Sequence, residues 1–441
     1  MKLKIITLIL FSFFLMIGCN WNDKEIEKKA EQLESSVKVT LKQKNGVYKL
    51  FVDSKPFYIK GAGLEFGDIS SVSKHKGNSI RTWRTNNGRK TGKEVLDEAH
   101  KNGLKVTMGI EVARERHGFD YNDSNAVKEQ LERIKQEVLE LKDHPALLIW
   151  GIGNELNLHY ENPKVWDAVN DISKMIHSVD PNHLTTTSLA GISQREINFI
   201  KERCPDLDLL SFQMYGSLPQ LPKLVKEYGW EGAYIVTEWG ATGHWEVPKT
   251  SWNAPIEDNS TIKAENYLKR YKSSMEVDTS KCIGSYVFLW GQKQERTPTW
   301  YGIFLEDGKE TESVDVMHYI WNDETWPENR TPQVKSFELN GKTAYDNVRI
   351  KKNSSYDAKV EIHDFENDEV MYNWEILPES TDLKDGGDYE ERPKNVHFES
   401  INKQNGLLTF KMTKPGNFRL FVYVYDRHGH AATANIPFQV Y

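Results

Sequence analysis

The chain has 441 residues, with 64 acidic and 57 basic side chains and a formal net charge of −7. Its length and its apolar and aromatic content suffice for two or three domains with sizeable cores. Charges of both signs are interspersed and no basic block stands out, which argues against a phosphate backbone as a partner. The composition therefore predicts a globular protein that does not bind nucleic acid.

The first residues predict a secretion signal. Lys2 and Lys4 precede a continuous apolar run over residues 5–17, which is short for a membrane span and typical of a signal-peptide core. The small residue directly before Cys19 resembles the bacterial lipobox, in which the cysteine is lipidated once the signal peptide, here residues 1–18, is removed. We expect a lipid anchor in the bacterial cell envelope, at the outer-membrane surface or in the periplasm. Plain secretion is the alternative.

Residues 19–36 are polar, with Glu and Lys at helical spacings and little apolar face, so they predict a tether. Beyond Cys19 the chain has two more cysteines, Cys204 and Cys282, far apart and outside any metal-binding or redox spacing. We interpret both as small buried residues rather than as a disulfide or zinc ligands.

Short apolar strands alternate with amphipathic helices after a hairpin that turns at Asn45-Gly46. The eight predicted strands cover residues 57–63, 78–84, 104–112, 146–155, 183–191, 207–216, 233–241 and 283–291. Eight buried strands separated by helices predict an α/β fold, the (β/α)8 TIM barrel, which we assign to residues 37–330. A doubly wound open sheet is the competing topology, but no glycine-rich phosphate loop follows the first strand.

The last part of the chain, residues 331–441, changes to period-two alternation with frequent turns, which predicts a small all-β immunoglobulin-like sandwich. Residues 385–391, DGGDYEE, are acidic, but their spacing fits no calcium loop and we interpret them as a solvated loop. The HGH segment at 428–430 predicts a turn between strands rather than a pair of metal ligands.

Two predicted barrel strands end on a carboxylate. The fourth stops at Asn154 and Glu155, groups that are costly to bury without partners, and the seventh carries Glu238. Catalytic groups of such barrels sit at the C-terminal ends of the strands. A retaining glycosidase needs two carboxylates there, one to protonate the leaving oxygen and one to attack the anomeric carbon. Taken alone, Glu155 is as readily a cap of the next helix.

These strand ends resemble the signature segments of the retaining glycoside hydrolases of clan A, in particular the family 2 barrel. The matching segments are GNEL (153–156), TEWGA (237–241), IRTWR (80–84), QMYG (213–216) and FLWG (288–291). The resemblance implies hydrolysis of β-glycosidic bonds by double displacement, with Glu155 as acid/base and Glu238 as nucleophile. It implies neither a cofactor nor a metal.

The same resemblance implies roles for three further polar residues. Arg81 and Tyr215 would lie beside Glu238 and hold its carboxylate ionised through a positive charge and a hydrogen bond. Asn154 would bond to the sugar 2-hydroxyl, a contact that strengthens toward the transition state. Glu155 should have a raised pKa while Glu238 is charged.

Aromatic side chains are the remaining candidates, because their faces stack on sugar rings. The resemblance implies that Trp290 floors the subsite at the cleaved bond. Trp245 and Trp252, in the loop after strand seven, are predicted to form further subsites, although such residues as often serve simple packing. Trp150, inside strand four, is predicted to be core. Other rim candidates are Glu65, Glu111 and Trp83.

The sequence also departs from family 2. Arg84 stands where that family usually has a histidine, three residues after the strand-two arginine, and the sandwich domains that precede the family 2 barrel are lacking. A lipoprotein with a bare barrel and one C-terminal immunoglobulin-like domain is more similar to the glycoside hydrolase family 158 endo-β-1,3-glucanases. This layout implies internal cleavage of β-1,3-glucan.

Two alternatives to that function stay open. The protein could be a non-catalytic surface glycan-binding lipoprotein, or a clan A enzyme acting on β-mannan, β-galactan or host glycans. In each case the expected partner is a polysaccharide or oligosaccharide, the expected membrane contact is the lipid anchor alone, and the protein is expected to act as a monomer.

Overall fold

The computed structural model describes residues 36–441, except for the side chains of residues 402–404. The predicted signal peptide, Cys19 and all but the last residue of the predicted tether lie outside the described residues. Among the helices described, none combines the length and the apolar character that crossing a bilayer requires.

A three-stranded antiparallel sheet comes first: β1 (Val39–Lys44), β2 (Val47–Val52) and β3 (Lys55–Phe57). The predicted hairpin turn is confirmed, because Asn45 and Gly46 both have positive φ, at 53° and 79°, as a two-residue primed turn requires. The backbone N–H of Val39 donates to the carbonyl of Asn182 at 2.8 Å, and Leu50 packs against the lower barrel strands. The sheet therefore covers the N-terminal end of the barrel, opposite the rim that carries the strand ends.

The predicted barrel is confirmed, with every predicted strand present. Its parallel strands close in the order β4 to β11. They are β4 (Ile59–Gly63), β5 (Ser79–Arg81), β6 (Lys105–Ile110), β7 (Leu147–Asn154), β8 (Leu184–Ala190), β9 (Leu210–Gln213), β10 (Tyr234–Trp239) and β11 (Cys282–Val287). All eight residues of β7 are buried, because parallel strands are covered by side chains inside the barrel and by helices outside.

Helices surround the barrel, and several begin at the capping residues that the sequence offers. Thr91 forms a capping box with Glu94, and Asp123 caps a longer helix by accepting from two backbone N–H groups. The helices described are α1 (Ile69–Lys74), α2 (Gly92–Lys101), α3 (Ser124–Leu141), α4 (Lys164–Val179), α5 (Gln194–Arg203), α6 (Leu221–Glu227), α7 (Ser260–Ser274) and α8 (Glu312–Trp321).

The core of the barrel holds the residues predicted to be structural. Trp150 is fully buried and its indole N–H donates to Asp180 at 2.8 Å, so this tryptophan is core as predicted. Cys204 and Cys282 are buried free thiols, also as predicted.

Two four-stranded sheets follow the barrel and form a second apolar core. One has the order β12-β14-β17-β16 and the other β13-β19-β18-β15. Their strands are β12 (Gln333–Leu339), β13 (Arg349–Ile350), β14 (Ser355–His363), β15 (Met371–Pro378), β16 (Glu399–Gln404), β17 (Leu407–Lys411), β18 (Gly416–Tyr425) and β19 (Ala431–Val440). The HGH segment lies in the turn between β18 and β19, as predicted. The domain boundaries and the immunoglobulin-like assignment stay predictions.

Buried polar contacts join this sandwich to the barrel. The Arg419 guanidinium donates to the carbonyl of Pro255 at 2.8 Å, and the Asn435 amide donates to the Glu257 carboxylate at 2.7 Å. Glu257 is buried and pairs with Lys263 at 2.5 Å. A buried charge that loses a partner is strongly destabilising, so these contacts hold the sandwich in a defined place on the barrel.

Candidate active site

The ends of four barrel strands bring four polar side chains to one point on the rim. Arg81 ends β5, Asn154 ends β7, Gln213 ends β9 and Glu238 lies one residue before the end of β10. All four are buried, with no more than 8% of each residue exposed. Because parallel strands all finish at the same end of a barrel, residues far apart in sequence meet there.

Glu238 accepts hydrogen bonds on both carboxylate oxygens. Its Oε1 atom accepts from Arg81 at 2.7 Å, from the indole of Trp83 at 2.8 Å and from Gln213 at 2.9 Å. Its Oε2 atom accepts from the Tyr215 hydroxyl at 2.9 Å. Four donors, one of them a guanidinium, favour the ionised form of a carboxyl group.

The same donors orient Asn154. The side-chain oxygen of Asn154 accepts from Arg81 at 2.5 Å and from Gln213 at 2.7 Å. Asn154 also lines the cleft above the barrel. Its contact with a sugar hydroxyl stays a prediction.

Tyr215 is held as a neutral donor. Burial, followed by the nearby charges of Glu238 and Glu155, keeps the pKa of its hydroxyl well above the ordinary value of 10. The phenol stays protonated across the physiological range and keeps its bond to Glu238.

Glu155 lies in a different environment, although it is the next residue after β7. Its backbone has a φ of 51° and its N–H donates to the carbonyl of Ser188 at 3.0 Å, which turns the chain sharply at the strand end. Its carboxyl group borders the cleft and accepts no hydrogen bond from any residue within 36–441. A non-glycine residue in this left-handed region costs free energy and is often found at functional sites.

The pKa of Glu155 is raised to about 8. Burial deep in the cleft is the largest cause, and the negative charge of Glu238 is the next, while Arg81 and two arginines beyond β6, Arg114 and Arg116, act in the opposite direction. At neutral pH Glu155 therefore holds a proton that it can give away, whereas Glu238 sits among donors that favour its charged form.

A cleft of about 1670 Å3 opens above these groups. Trp245 lines it with an exposed fraction of 58%, packed edge-on against the ring of Tyr215, and therefore lies where the sequence predicted a subsite. Phe288 and Trp83 line it next to Glu238, with their rings edge to face and 5.8 Å apart.

The prediction for Trp290 is wrong. Its ring is fully buried behind the rim, where the indole N–H donates to Ser71 at 2.6 Å and the ring packs against Trp321. A sugar cannot reach it. Phe288, two residues earlier, is the aromatic residue of this segment that faces the cleft beside Tyr215.

Two other sequence candidates also lie elsewhere. Trp252 belongs to a loop beside the sandwich, where the neighbouring Ser251 N–H donates to Asn347 at 2.6 Å, and it does not line the cleft. Glu111 is exposed and lies outside the cleft. Glu65 does line the cleft, paired with Arg84 at 2.8 Å, and burial raises its pKa.

Sequence reasoning missed three parts of the site. Gln213 was inside a quoted segment, but its bridging position between Asn154 and Glu238 depends on three strands at once. Phe288 was passed over in favour of a neighbouring tryptophan. Residues 385–390, interpreted as a solvated loop, line the cleft from the sandwich side. Only the acidic and glycine-rich character of that loop was visible in the sequence.

The closed parallel barrel with two glutamates at its rim resembles the barrel of clan A glycoside hydrolases. Residues 75–272 match the family model described as "Glycosyl hydrolases family 2, TIM barrel domain". This match supports a retaining glycoside hydrolase. No curated protein matches the sequence.

Solved structures with similar folds include β-glucuronidases. Bacteroides uniformis β-glucuronidase is 14% identical with a TM-score of 0.50, and the match covers 91% of this chain and 48% of the β-glucuronidase chain. The Dictyoglomus thermophilum enzyme is 16% identical, with a TM-score of 0.51 and coverage of 64% and 53%. The Bifidobacterium dentium enzyme is 16% identical with a TM-score of 0.50, and the match covers 64% of this chain and 49% of that enzyme. The chain thus spans about half the length of these relatives, and the likeness shows the fold.

Proposed function

We propose that the protein is a retaining β-glycosidase with Glu238 as nucleophile and Glu155 as acid/base. The observation that carries this proposal is the difference between the surroundings of the two carboxyl groups. Glu238 is surrounded by four donors that favour its charge, while Glu155, within its electrostatic reach, has a pKa raised to about 8. A carboxyl group with a raised pKa beside one whose negative charge is stabilised by donors can act as acid and nucleophile at the same pH.

In the first step, Glu155 gives its proton to the glycosidic oxygen, the bond from that oxygen to the anomeric carbon breaks, and Glu238 bonds to that carbon. We assign the attack to Oε2, because Oε1 already accepts three hydrogen bonds and Oε2 accepts one. Esterification removes the negative charge of Glu238, which is the second cause of the raised pKa of Glu155. The pKa of Glu155 then falls, so Glu155 can take a proton from the water that releases the sugar.

The substrate that we propose is a β-linked polysaccharide or oligosaccharide, with β-1,3-glucan and internal cleavage as the specific prediction. The cleft, at about 1670 Å3, exceeds the size usual for sites that hold one small molecule, and exposed aromatic rings line it. β-Mannan, β-galactan and, because the similar structures are β-glucuronidases, β-glucuronides are the rival substrates.

The test is a panel of aryl β-glycosides and polysaccharides, including β-1,3-glucan, mixed-linkage glucan, mannan, galactan and an aryl β-glucuronide. We expect turnover of at least one member, with NMR of the first product showing the β-anomer. An α-anomer as first product overturns the retaining mechanism. Release of monosaccharide alone from chain ends overturns internal cleavage, and inertness toward β-1,3-glucan overturns the predicted substrate.

A non-catalytic glycan-binding protein is the second candidate. A protein that keeps the barrel and the aromatic rings of the cleft but does not hydrolyse sugars would fit this candidate. A binding protein, however, has no need of a proton donor near a carboxylate that four donors surround. If the protein binds a polysaccharide in calorimetry and hydrolyses no panel member, this candidate replaces the enzyme.

We further propose a monomer anchored by lipid at Cys19 in the bacterial cell envelope. The lipobox-like sequence supports the anchor. Cys19→Ala should move the protein from the membrane fraction to the soluble fraction, and an unchanged distribution excludes the anchor. Light scattering of a protein that starts at residue 20 should give the mass of one chain.

A further inference from the structure

The segment of the sandwich that connects β15 to β16 reaches over the barrel rim. Within it, residues 384–392 form what we name the strap. Its residues 385–390 and Arg392 line the same cleft as Glu155 and Glu238. The proposed mechanism uses none of these residues, which makes their position a separate observation.

The middle of the strap is bound to the loop after β6 and lies against the loop after β7. Arg116 donates to the Asp388 carboxylate at 3.1 Å and to the carbonyl of Asp385 at 3.3 Å, and His117 pairs with Asp388 at 3.1 Å. Gly386, with a φ of 60°, lies so near that an added Cβ would be 3.0 Å from the side chain of Leu158. Only glycine allows both this backbone conformation and this approach.

Lys384 and Glu390, on either side of that middle part, and Gly387 within it are bound to the loop after β11. Lys293 donates to the carbonyl of Gly387 at 3.0 Å. Glu390, which is 1% exposed, accepts from the backbone N–H of Arg296 at 2.6 Å, and Arg296 donates to the carbonyl of Lys384 at 3.1 Å. A buried carboxylate with these partners is a firm anchor rather than a chance surface contact.

The two sets of partners come from separate parts of the rim. In the closed order of strands, β6 is three places from β11 in one direction and five in the other, and β7 is four places from β11. The strap therefore joins loops from different sides of the cleft, and a sugar chain that occupies the cleft meets its residues.

The strap lies on the side of Glu155. Leu158, which contacts Gly386, belongs to the turn in which its own N–H donates to the carbonyl of Glu155 at 3.1 Å. Arg116, the main anchor, is also one of the charges that act on the pKa of Glu155. A general acid lies beside the oxygen that leaves with the departing sugar, so the strap is next to that half of the substrate.

Tyr389 is the residue of the strap suited to bind a sugar. Its side chain lines the cleft with 81% of the residue exposed. An aromatic ring with this much exposed surface gains little free energy from burial. In a cleft that binds carbohydrate, such a ring offers a face on which a sugar can stack.

We infer that the strap forms a leaving-group subsite, in which the ring of Tyr389 stacks on a neutral sugar of the departing oligosaccharide. The inference rests on the proposed glycosidase function and goes beyond it, because it assigns part of the substrate specificity to the C-terminal sandwich. The barrel supplies the bond-breaking groups, and the sandwich selects what is attached to the leaving oxygen.

The experiment compares two substrates of one sugar, taken from whichever polysaccharide the panel identifies. They are its pentasaccharide, whose leaving group reaches the strap, and the aryl glycoside of its monomer, whose leaving group is small. For Tyr389→Ala, we expect the ratio of kcat/KM for the pentasaccharide to that for the aryl glycoside to fall about tenfold. Tyr345→Ala, at a tyrosine 58% exposed on the sandwich and outside the cleft, is the control and should keep the ratio.

Asp388→Asn keeps the size of the side chain and weakens the bonds to Arg116 and His117, so it should lower the same ratio. The inference is overturned if Tyr389→Ala lowers both kcat/KM values equally or changes neither. It is also overturned if the control moves the ratio as much as Tyr389→Ala does. Failure of the wild-type protein to hydrolyse any panel member is a different result, because it removes the glycosidase function itself.

Discussion

The ends of β7 and β10 each place a glutamate at the same rim of the barrel, yet the hydrogen-bond donors around the two carboxyl groups differ. At β10, Glu238 receives donors from the end of β5, from the end of β9 and from the residue two places after β9. At β7, the chain turns at Glu155 through a left-handed residue and leaves its carboxyl group at the cleft without a donor from the described residues. Burial and the charge of Glu238 raise the pKa of Glu155, while the donors around Glu238 stabilise a negative charge, and this difference divides the roles.

The largest expected effect comes from removing the carboxylate of Glu238, which accepts hydrogen bonds from four donors. Glu238→Ala should abolish turnover of every substrate, aryl glycosides included, because no group remains to bond to the anomeric carbon. Steady-state release of the aryl alcohol measures this. Glu111→Gln, at an exposed glutamate outside the cleft, is the control and should retain activity. If azide restores turnover of Glu238→Ala with a β-configured product and that of Glu155→Ala with an α-configured product, the assigned roles are reversed.

Removing the proton donor should cost less. Glu155→Ala should lower kcat/KM for unactivated glycosides by about 10²- to 10⁴-fold, the usual contribution of a positioned acid. An activated aryl glycoside needs little protonation, so its first step should survive and the glycosyl-enzyme should accumulate. Azide should then restore turnover and give a β-configured product, measured by NMR. Retention of full activity on natural glycosides contradicts the role of Glu155.

Weakening the donors around Glu238 should have an intermediate effect. Tyr215→Phe removes the hydrogen bond to Oε2, and a bond to a charged group contributes about 1.5 to 3 kcal/mol, or roughly 10- to 150-fold in rate. The matched control is Tyr286→Phe, whose buried hydroxyl bonds to Ser79 at 2.8 Å and Thr107 at 2.6 Å, away from Glu238. Equal losses of kcat/KM in both variants would show a packing effect.

The smallest effect is a shift in pH dependence. The pKa of Glu155 is raised to about 8, so its proton is present below that pH and lost above it, and kcat/KM should decline as the pH rises through 8. Glu238→Gln removes the charge that is the second cause of the shift and should lower the pKa of Glu155. Carbon-13 NMR titration of labelled glutamate measures this directly. An unchanged pKa of Glu155 would mean that the two groups do not interact.

Much of the fold and the main site residues could be predicted because the relevant signals are local. Each barrel strand is a short apolar run bounded by helix caps, and all eight predicted strands are present. Asn154, Glu155 and Glu238 were conspicuous as polar groups at the ends of such runs. The resemblance to clan A added Arg81 and Tyr215, which do contact Glu238.

Tertiary structure alone decided which rings face the substrate and what bridges the cleft. β11 ends at Val287, so the alternation of a strand no longer sets where later side chains point. The ring of Phe288 therefore lies at the cleft beside Tyr215, while Trp290 borders the cleft but is fully buried against the helices, which no local pattern indicates. Residues 385–391 were predicted to be a solvated loop because their partners, such as Arg116 and Arg296, lie far away in sequence. The sequence determined the strands and the reactive groups, and long-range packing determined the shape of the cleft.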